Sequence, residues 1–111
     1  MSSTIDEITI NYEENGILLV KEIDKEILSK GLNTTILFRY KEYIADVDDY
    51  GPDKYTIRRY KKIAGEFRQQ AKFNISSVRQ GKIIAETLGR WLQDVEEEWN
   101  LIVLPAGFKY F

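Results

Sequence analysis

No cysteine and no histidine occur anywhere in the chain. The first absence removes a disulfide framework, a thiolate nucleophile and a thiolate metal ligand, and it fits a reducing compartment. The second removes the commonest general base and the commonest metal ligand together. No apolar run approaches the ~20 residues of a membrane span. The stretch Met1-Ser-Ser-Thr-Ile-Asp-Glu7 has neither the basic region nor the apolar core of a signal peptide. A cytoplasmic protein with no membrane partner is therefore expected. No glycine-rich phosphate loop, metal cluster or serine-centred motif is present. Catalysis would have to rest on carboxylates, lysine or tyrosine, so the chain is read as non-enzymatic, with no cofactor and no metal. Asp46, Asp48 and Gly51 fit three positions of a calcium loop. Tyr50 and Ile57 stand where that loop needs an acidic residue and a bidentate glutamate, so Asp46–Asp53 reads as a polar hairpin loop.

What is present is enough for one domain. A chain of 111 residues can bury a modest core, and a dimer would add apolar contact. The net charge of −2 argues against gripping a polyanion by bulk charge. The charge is unevenly spread, however: −4 over residues 1–35, +5 over 36–90 and −3 over 91–111. Screening over ~8 Å at physiological salt makes the local excess matter more than the total.

The basic charge lies in three runs that read as sequential antiparallel strands: Ile36–Ile44, Tyr55–Ile63 and Phe67–Ile75. Period-two alternation would give a core face of Ile36, Phe38, Tyr40, Ile44, Tyr55, Ile57, Ile63, Phe67, Ala71, Phe73 and Ile75. The opposite face would carry Arg39, Lys41, Tyr43, Lys54, Arg58, Tyr60, Lys62, Arg68, Gln70 and Lys72. Glu42, Arg59, Lys61 and Gln69 fall on the apolar side and break the pattern; a bulge or an edge strand would re-aim some of them. Gly51-Pro52 breaks the chain between the first two runs, and Gly65 supplies the tight turn between the last two.

Ahead of these runs, residues 1–4 are expected to fray. Ile8–Tyr12 and Ile17–Val20 flank Asn15-Gly16, a hairpin turn signal because both residues tolerate positive φ. Glu22–Lys30 fits a short helix or an irregular strand equally. After the runs, Ser77 with Gln80 forms a capping-box pattern. A helix with apolar positions at Ile84, Leu88, Trp91, Leu92, Val95 and Trp99 follows. Gly81 and Gly89 cost it up to ~1 kcal/mol each. Leu101–Leu104 could be a final strand or a docking tail. Leu88, Trp91, Leu92, Val95 and Trp99 suit either the core or the seam of a homodimer. The expected class is α+β: a curved antiparallel sheet, made of an N-terminal hairpin plus three strands, then one long amphipathic helix.

The basic, aromatic face suits single-stranded DNA or RNA, because phosphates need a track of cations and unstacked bases need flat rings. The same composition also suits a merely solvated sheet face. The run Ile36-Leu-Phe-Arg-Tyr-Lys-Glu-Tyr43, and Lys72-Phe-Asn-Ile-Ser-Ser77 leading into the helix through Trp91, resemble the transcriptional coactivator called positive cofactor four and the related Whirly proteins. Tyr50–Tyr60 together with Lys72–Ser77 resembles a set of small uncharacterised proteins typical of photosynthetic bacteria, grouped with that superfamily. The resemblance implies a homodimer paired through its helices, with sheets that bind single-stranded DNA in transcriptional regulation. Carried over by position, it implies nucleic-acid contacts at Arg39, Lys41, Tyr43, Lys54, Arg58, Tyr60, Lys62, Arg68 and Lys72. An acidic hairpin stands where the coactivator has a Ser- and Lys-rich tail. Two functions from different classes follow: a single-stranded nucleic-acid binder, or a dimeric protein-interaction or scaffold module of the same fold.

Overall fold

The computed structural model describes residues 3–95. Six strands form: β1 Tyr12–Glu14, β2 Ile17–Ser29, β3 Asn33–Ile44, β4 Asp49–Tyr50, β5 Lys54–Ile63 and β6 Glu66–Ile75; one helix follows, α1 Val78–Leu92. All pairings are antiparallel, in the order β1-β2-β3-β5-β6, with β4 beside the end of β3. The architecture is thus a curled antiparallel sheet with one helix after it, an α+β chain. The described residues fall into two compact units, one ending at Val78 and the other beginning at Arg79.

The strand count exceeds the expected hairpin plus three. Ala45–Val47 makes a single 3-10 turn, Asp48 takes φ 52°, and the chain returns just far enough to pair Tyr50 with Tyr43. The returning strand of the hairpin also runs on through the ambiguous stretch, so β2 reaches Ser29. Its register shifts near Ile23 and Leu28. Those irregularities are the reason no clean strand period shows there.

Two hairpins close through two-residue turns in which both residues take positive φ: Asn15 53° with Gly16 81°, and Ala64 53° with Gly65 82°. Such turns match the right-handed twist of the flanking strands. They bring Glu14 opposite Ile17 and Ile63 opposite Glu66.

The register of β3 against β5 decides the faces. Phe38 lies opposite Thr56, Ile36 opposite Arg58, and Thr34 opposite Tyr60. Paired residues share a face, so the inner face of β5 is Thr56, Arg58 and Tyr60. The core is Ile8, Ile10, Ile36, Phe38, Tyr40, Tyr60 and Phe67, with Ile5, Val20 and Ile27 packed against it. This corrects the alternation read from sequence. Tyr55 and Ile57 point the other way; Ile44 and Ile63 are exposed. An extra residue of β6 between Gln69 and Ala71 puts Phe67 inside while Ala71, Phe73 and Ile75 lie outside. A one-residue change of phase moves a whole set of side chains across the sheet.

The N-terminal segment crosses the inner face and is held by two charged side chains of β2. Lys25 Nζ donates to the carbonyls of Ile8, Asp6 and Ile5 at 2.6, 3.2 and 3.4 Å. The Glu22 carboxylate accepts from the Thr9 hydroxyl at 2.6 Å and the Ile10 N–H at 3.4 Å, and the Glu22 N–H donates to Asn11 Oδ1 at 2.7 Å. Ile8 and Ile10 are buried as a result, although the strand itself begins only at Tyr12. Ser3 and Thr4 are not frayed, because their N–H groups donate to the Glu7 carboxylate at 3.0 and 3.2 Å. Those backbone donors hold the Glu7 carboxyl below its ordinary pKa.

The helix α1 starts directly after Ser77, where the capping pattern places it, and ends at Leu92. Val95 therefore lies beyond the helix, its N–H donating to the Leu92 carbonyl at 3.1 Å. Trp99, the Glu96–Glu98 run and Leu101–Leu104 lie outside the described residues.

Ala64 carries a Cβ in a left-handed conformation, which costs an L-residue about 1–2 kcal/mol. Asn tolerates that region and is preferred before Gly in this turn. Ala64→Asn should raise unfolding stability by roughly 0.5–1 kcal/mol, read as a higher urea midpoint with an unchanged slope. An unchanged or lower midpoint would mean that the turn is not under this strain.

Candidate interaction surface

The face opposite the core is built on three cross-strand rows. Leu37, Ile57 and Phe73 lie side by side across β3, β5 and β6; Arg39, Tyr55 and Ile75 form the next row, and Thr35, Arg59 and Ala71 the third. Lys61 opposite Arg68 continues it toward the β5–β6 turn. On the β2 side the rows end in acids, with Asp24 opposite Arg39 and Glu26 opposite Leu37. The outer face thus has an apolar centre, a basic end and an acidic margin. Phe73 is 51% exposed at its centre.

The nine residues proposed from sequence as one nucleic-acid face do not share a face. Arg39, Lys41, Tyr43 and Arg68 lie on the outer side. Lys54, Arg58, Tyr60, Lys62 and Lys72 lie on the inner side, as their pairings with Tyr40, Ile36, Thr34, Phe67 and Arg58 require. Tyr60 is only 6% exposed, so its ring packs in the core. Burial pushes its phenol above the ordinary tyrosine pKa, partly offset by Arg58.

Most of these cations already have anions. Lys41 Nζ lies 3.0 Å from Asp53 Oδ1, and Arg39 lies 3.9 Å from both Asp53 and Asp24. The Asp53 oxygen is buried without an aligned hydrogen-bond donor, so Lys41 serves it as a charge partner. Lys54 meets Glu42 at 2.7 Å and Arg68 meets Glu66 at 3.6 Å. Arg58 is used internally: it donates to Gln69 Oε1 at 2.8 Å and to the Thr56 hydroxyl at 3.2 Å. Thr56, fully buried, in turn donates to Asn74 Oδ1 at 2.7 Å. Lys62 sits over the Phe67 ring, 5.4 Å from its centroid. Arg59, Lys61 and Lys72 have no carboxylate partner among the described residues.

Tyr43 is also occupied. Its ring meets Tyr50 edge-on at 5.8 Å, and its hydroxyl donates to Asp48 Oδ1. That bond raises the phenol's pKa. Tyr50 is anchored by its own hydroxyl, which donates to the Leu18 carbonyl at 2.8 Å, while Lys21 lies 5.1 Å from its ring centre. These rings brace β4 against β2 and β3.

A cavity of about 400 Å³ opens at the end of the sheet, lined among others by Tyr40, Glu42, Asp53, Lys54, Asn74 and Ser76. Its lysine is paired, and the hydrogen bond to Glu42 raises the Lys54 pKa; a lysine nucleophile needs the opposite shift. No group of three or more acidic residues among the described residues is placed to hold a metal ion. No helix among them is long and apolar enough to cross a membrane.

Sequence reasoning assigned Tyr55, Ile57, Phe73 and Ile75 to the core and so missed the centre of the outer face. One signal pointed to it. Arg59 and Lys61 share the parity of Tyr55 and Ile57, and two consecutive same-face cations do not belong in a core. No family model, no curated protein and no solved structure matches the chain.

Burial of the neutral Tyr60 phenol ties stability to pH. With the folded pKa raised, stability is full below the ordinary tyrosine value of about 10. It falls as pH rises past that value toward the higher folded one. Urea unfolding of the wild type at about pH 8 and about pH 10.5 should show this loss, and Tyr60→Phe should show less of it. Equal losses in both proteins would mean that Tyr60 does not ionise on unfolding in this range.

Proposed function

We propose that the protein is a non-enzymatic, homodimeric interaction module. Its outer sheet face receives a macromolecular partner, and α1 supplies the seam between two copies. The observation that carries the reading is the apolar row Leu37–Ile57–Phe73, flanked by Tyr55 and Ile75 and rimmed by Arg39, Arg59 and Lys61. An apolar centre within a charged rim is the anatomy of a protein interface. The seam is supported by α1 taken alone. A fifteen-residue helix that contains Gly81 and Gly89 is marginal in water without a cover for its stripe. Ile84, Leu88, Trp91 and Leu92 form that stripe, and a two-fold related copy would cover it isologously.

A second reading keeps the single-stranded nucleic-acid ligand but moves it. Tyr55 and Phe73 stand on adjacent strands of the outer face, one row apart, beside the uncompensated Arg59 and Lys61. Two rings and two free cations are the elements of a stacking platform. The resemblance to the positive cofactor four superfamily favours this reading as well.

Two measurements on the full chain test both. Sedimentation velocity should give a dimer, and Trp91→Glu should give a folded monomer; a wild type that stays monomeric at tens of micromolar would defeat the α1 seam. Fluorescence anisotropy with a labelled single-stranded oligonucleotide, at low and near-physiological salt, separates the ligands. Binding that falls steeply with salt and drops about tenfold or more in Phe73→Ala, as loss of one stacked base implies, selects nucleic acid. An absence of binding even at low salt selects a protein partner.

A further inference from the structure

Apart from Lys54, which Glu42 takes, the cations of β5 and β6 are divided between the two faces; Arg68 and Lys72 stand on the edge strand β6 and the others on β5, one strand further in. Arg58, Lys62 and Lys72 lie on the inner side, and Arg59, Lys61 and Arg68 on the outer side. Glu66 is the only acidic residue of either strand, and Arg68 takes it. Two like-charged pairs sit directly opposite each other across the hairpin, Arg58 with Lys72 and Lys61 with Arg68, one pair on each face. Such pairs are unfavourable unless a counter-charge reaches them. β6 is the last strand of the sheet, ten residues long, and among the described residues no strand pairs with its far side. Its outward N–H and C=O groups form a template for another strand.

From this we infer that the free edge of β6 is a docking site for an extended acidic peptide segment, which adds to the sheet as a further strand. The geometry selects that ligand over a polyanion lying on a face. A nucleic acid spread on one face would meet only half of the cations. An added strand sends alternate side chains to both faces, so acidic residues at both parities would meet Lys72 on the inner side and Arg68 on the outer side, with the long side chains of β5 one strand further in. Basic edge residues also discourage a second β6 from pairing there, so the same residues that reject a like edge admit an acidic one. The unpaired residue of β6 next to Gln69 leaves Ala71–Ile75 as the regular part of the template. The inference uses the edge rather than the outer face, and it does not depend on what binds at Phe73.

The test uses the full chain and a fluorescein-labelled peptide of about ten residues, Thr-Glu-Glu-Val-Thr-Glu-Glu-Val-Thr-Glu, which places acids at both parities. A control peptide of the same charge carries proline at the Thr and Val positions and so lacks the ladder donors there. Anisotropy should show binding of the first peptide at low salt and at least tenfold weaker binding of the proline peptide. Hydrogen exchange should show added protection confined to β6 amides. Lys61→Glu with Lys72→Glu, both solvent-facing, should weaken binding more than tenfold with an unchanged circular dichroism spectrum. Equal binding of both peptides would overturn strand addition in favour of charge alone. Tighter binding of a single-stranded oligonucleotide with no protection of β6 would assign the cations to nucleic acid. Failure of the acidic peptide to bind at low salt would overturn the inference outright.

Discussion

The register of β3 against β5 is the constraint from which the rest of this structure follows. Phe38 opposite Thr56 puts a fully buried aromatic ring beside a small side chain, and the Thr56 hydroxyl finds Asn74 on the next strand. A buried hydroxyl is tolerated only with such a partner. With that pair in place, Arg58 must enter the inner side and Tyr55 and Ile57 must leave it. Arg58 can be accommodated because Gln69 and Thr56 accept its donors. The apolar outer face is therefore the direct consequence of how the inner one is satisfied.

A sheet this small cannot fill its core from its own strands. The inner face is completed by Ile5, Ile8 and Ile10 from the chain ahead of β1, and that segment, a 3-10 turn over Ile5–Glu7 followed by irregular chain, has no ladder of its own. Its backbone polar groups need partners when buried. Lys25 and Glu22 supply them, a cation for carbonyls and a carboxylate for donors. Two charges on the inward side of β2 look like pattern violations in the sequence. In the fold they hold the segment whose isoleucines complete the core.

These two cases show how much of the molecule was legible. Local rules that act within four residues were readable: the Asn15-Gly16 turn, the turn at Gly65, the break at Gly51-Pro52 and the helix start after Ser77 all follow from backbone preferences of the residues present. Parity was only weakly marked in β5: Arg59 and Lys61 spoke against a core on the side of Tyr55 and Ile57, but Arg58 and Lys62 spoke equally against the side of Tyr60. Only the partner strand decides between them. β6 was harder still, since an extra residue near Gln70 places Phe67 and Phe73 on opposite sides although they are six apart. The candidate site inherited both errors. The basic and aromatic residues that alternation sums onto one surface are divided by the sheet between two.

The division changes what the charge can do. Cations gathered on a face act as a field on whatever lies flat against it. Cations on both sides of a strand act at its edge, where a ligand must be threaded rather than laid down. Three of the paired cations, Arg39, Lys41 and Lys54, cluster where β3 and β5 meet the Asp53 turn and there bind the fold's own carboxylates, while Arg68 meets Glu66 on β6. Arg59, Lys61 and Lys72, which have no carboxylate partner among the described residues, lie on β5 and β6, beside or on the long strand that ends the sheet. Acidic β1 and β2, −3 together, and basic β5 and β6, +6 together, occupy opposite ends of the sheet, so the negative total conceals a polarised sheet. Its net charge predicts weak attraction to polyanions, while the local charge of β5 and β6 is what an acidic segment at that edge would meet.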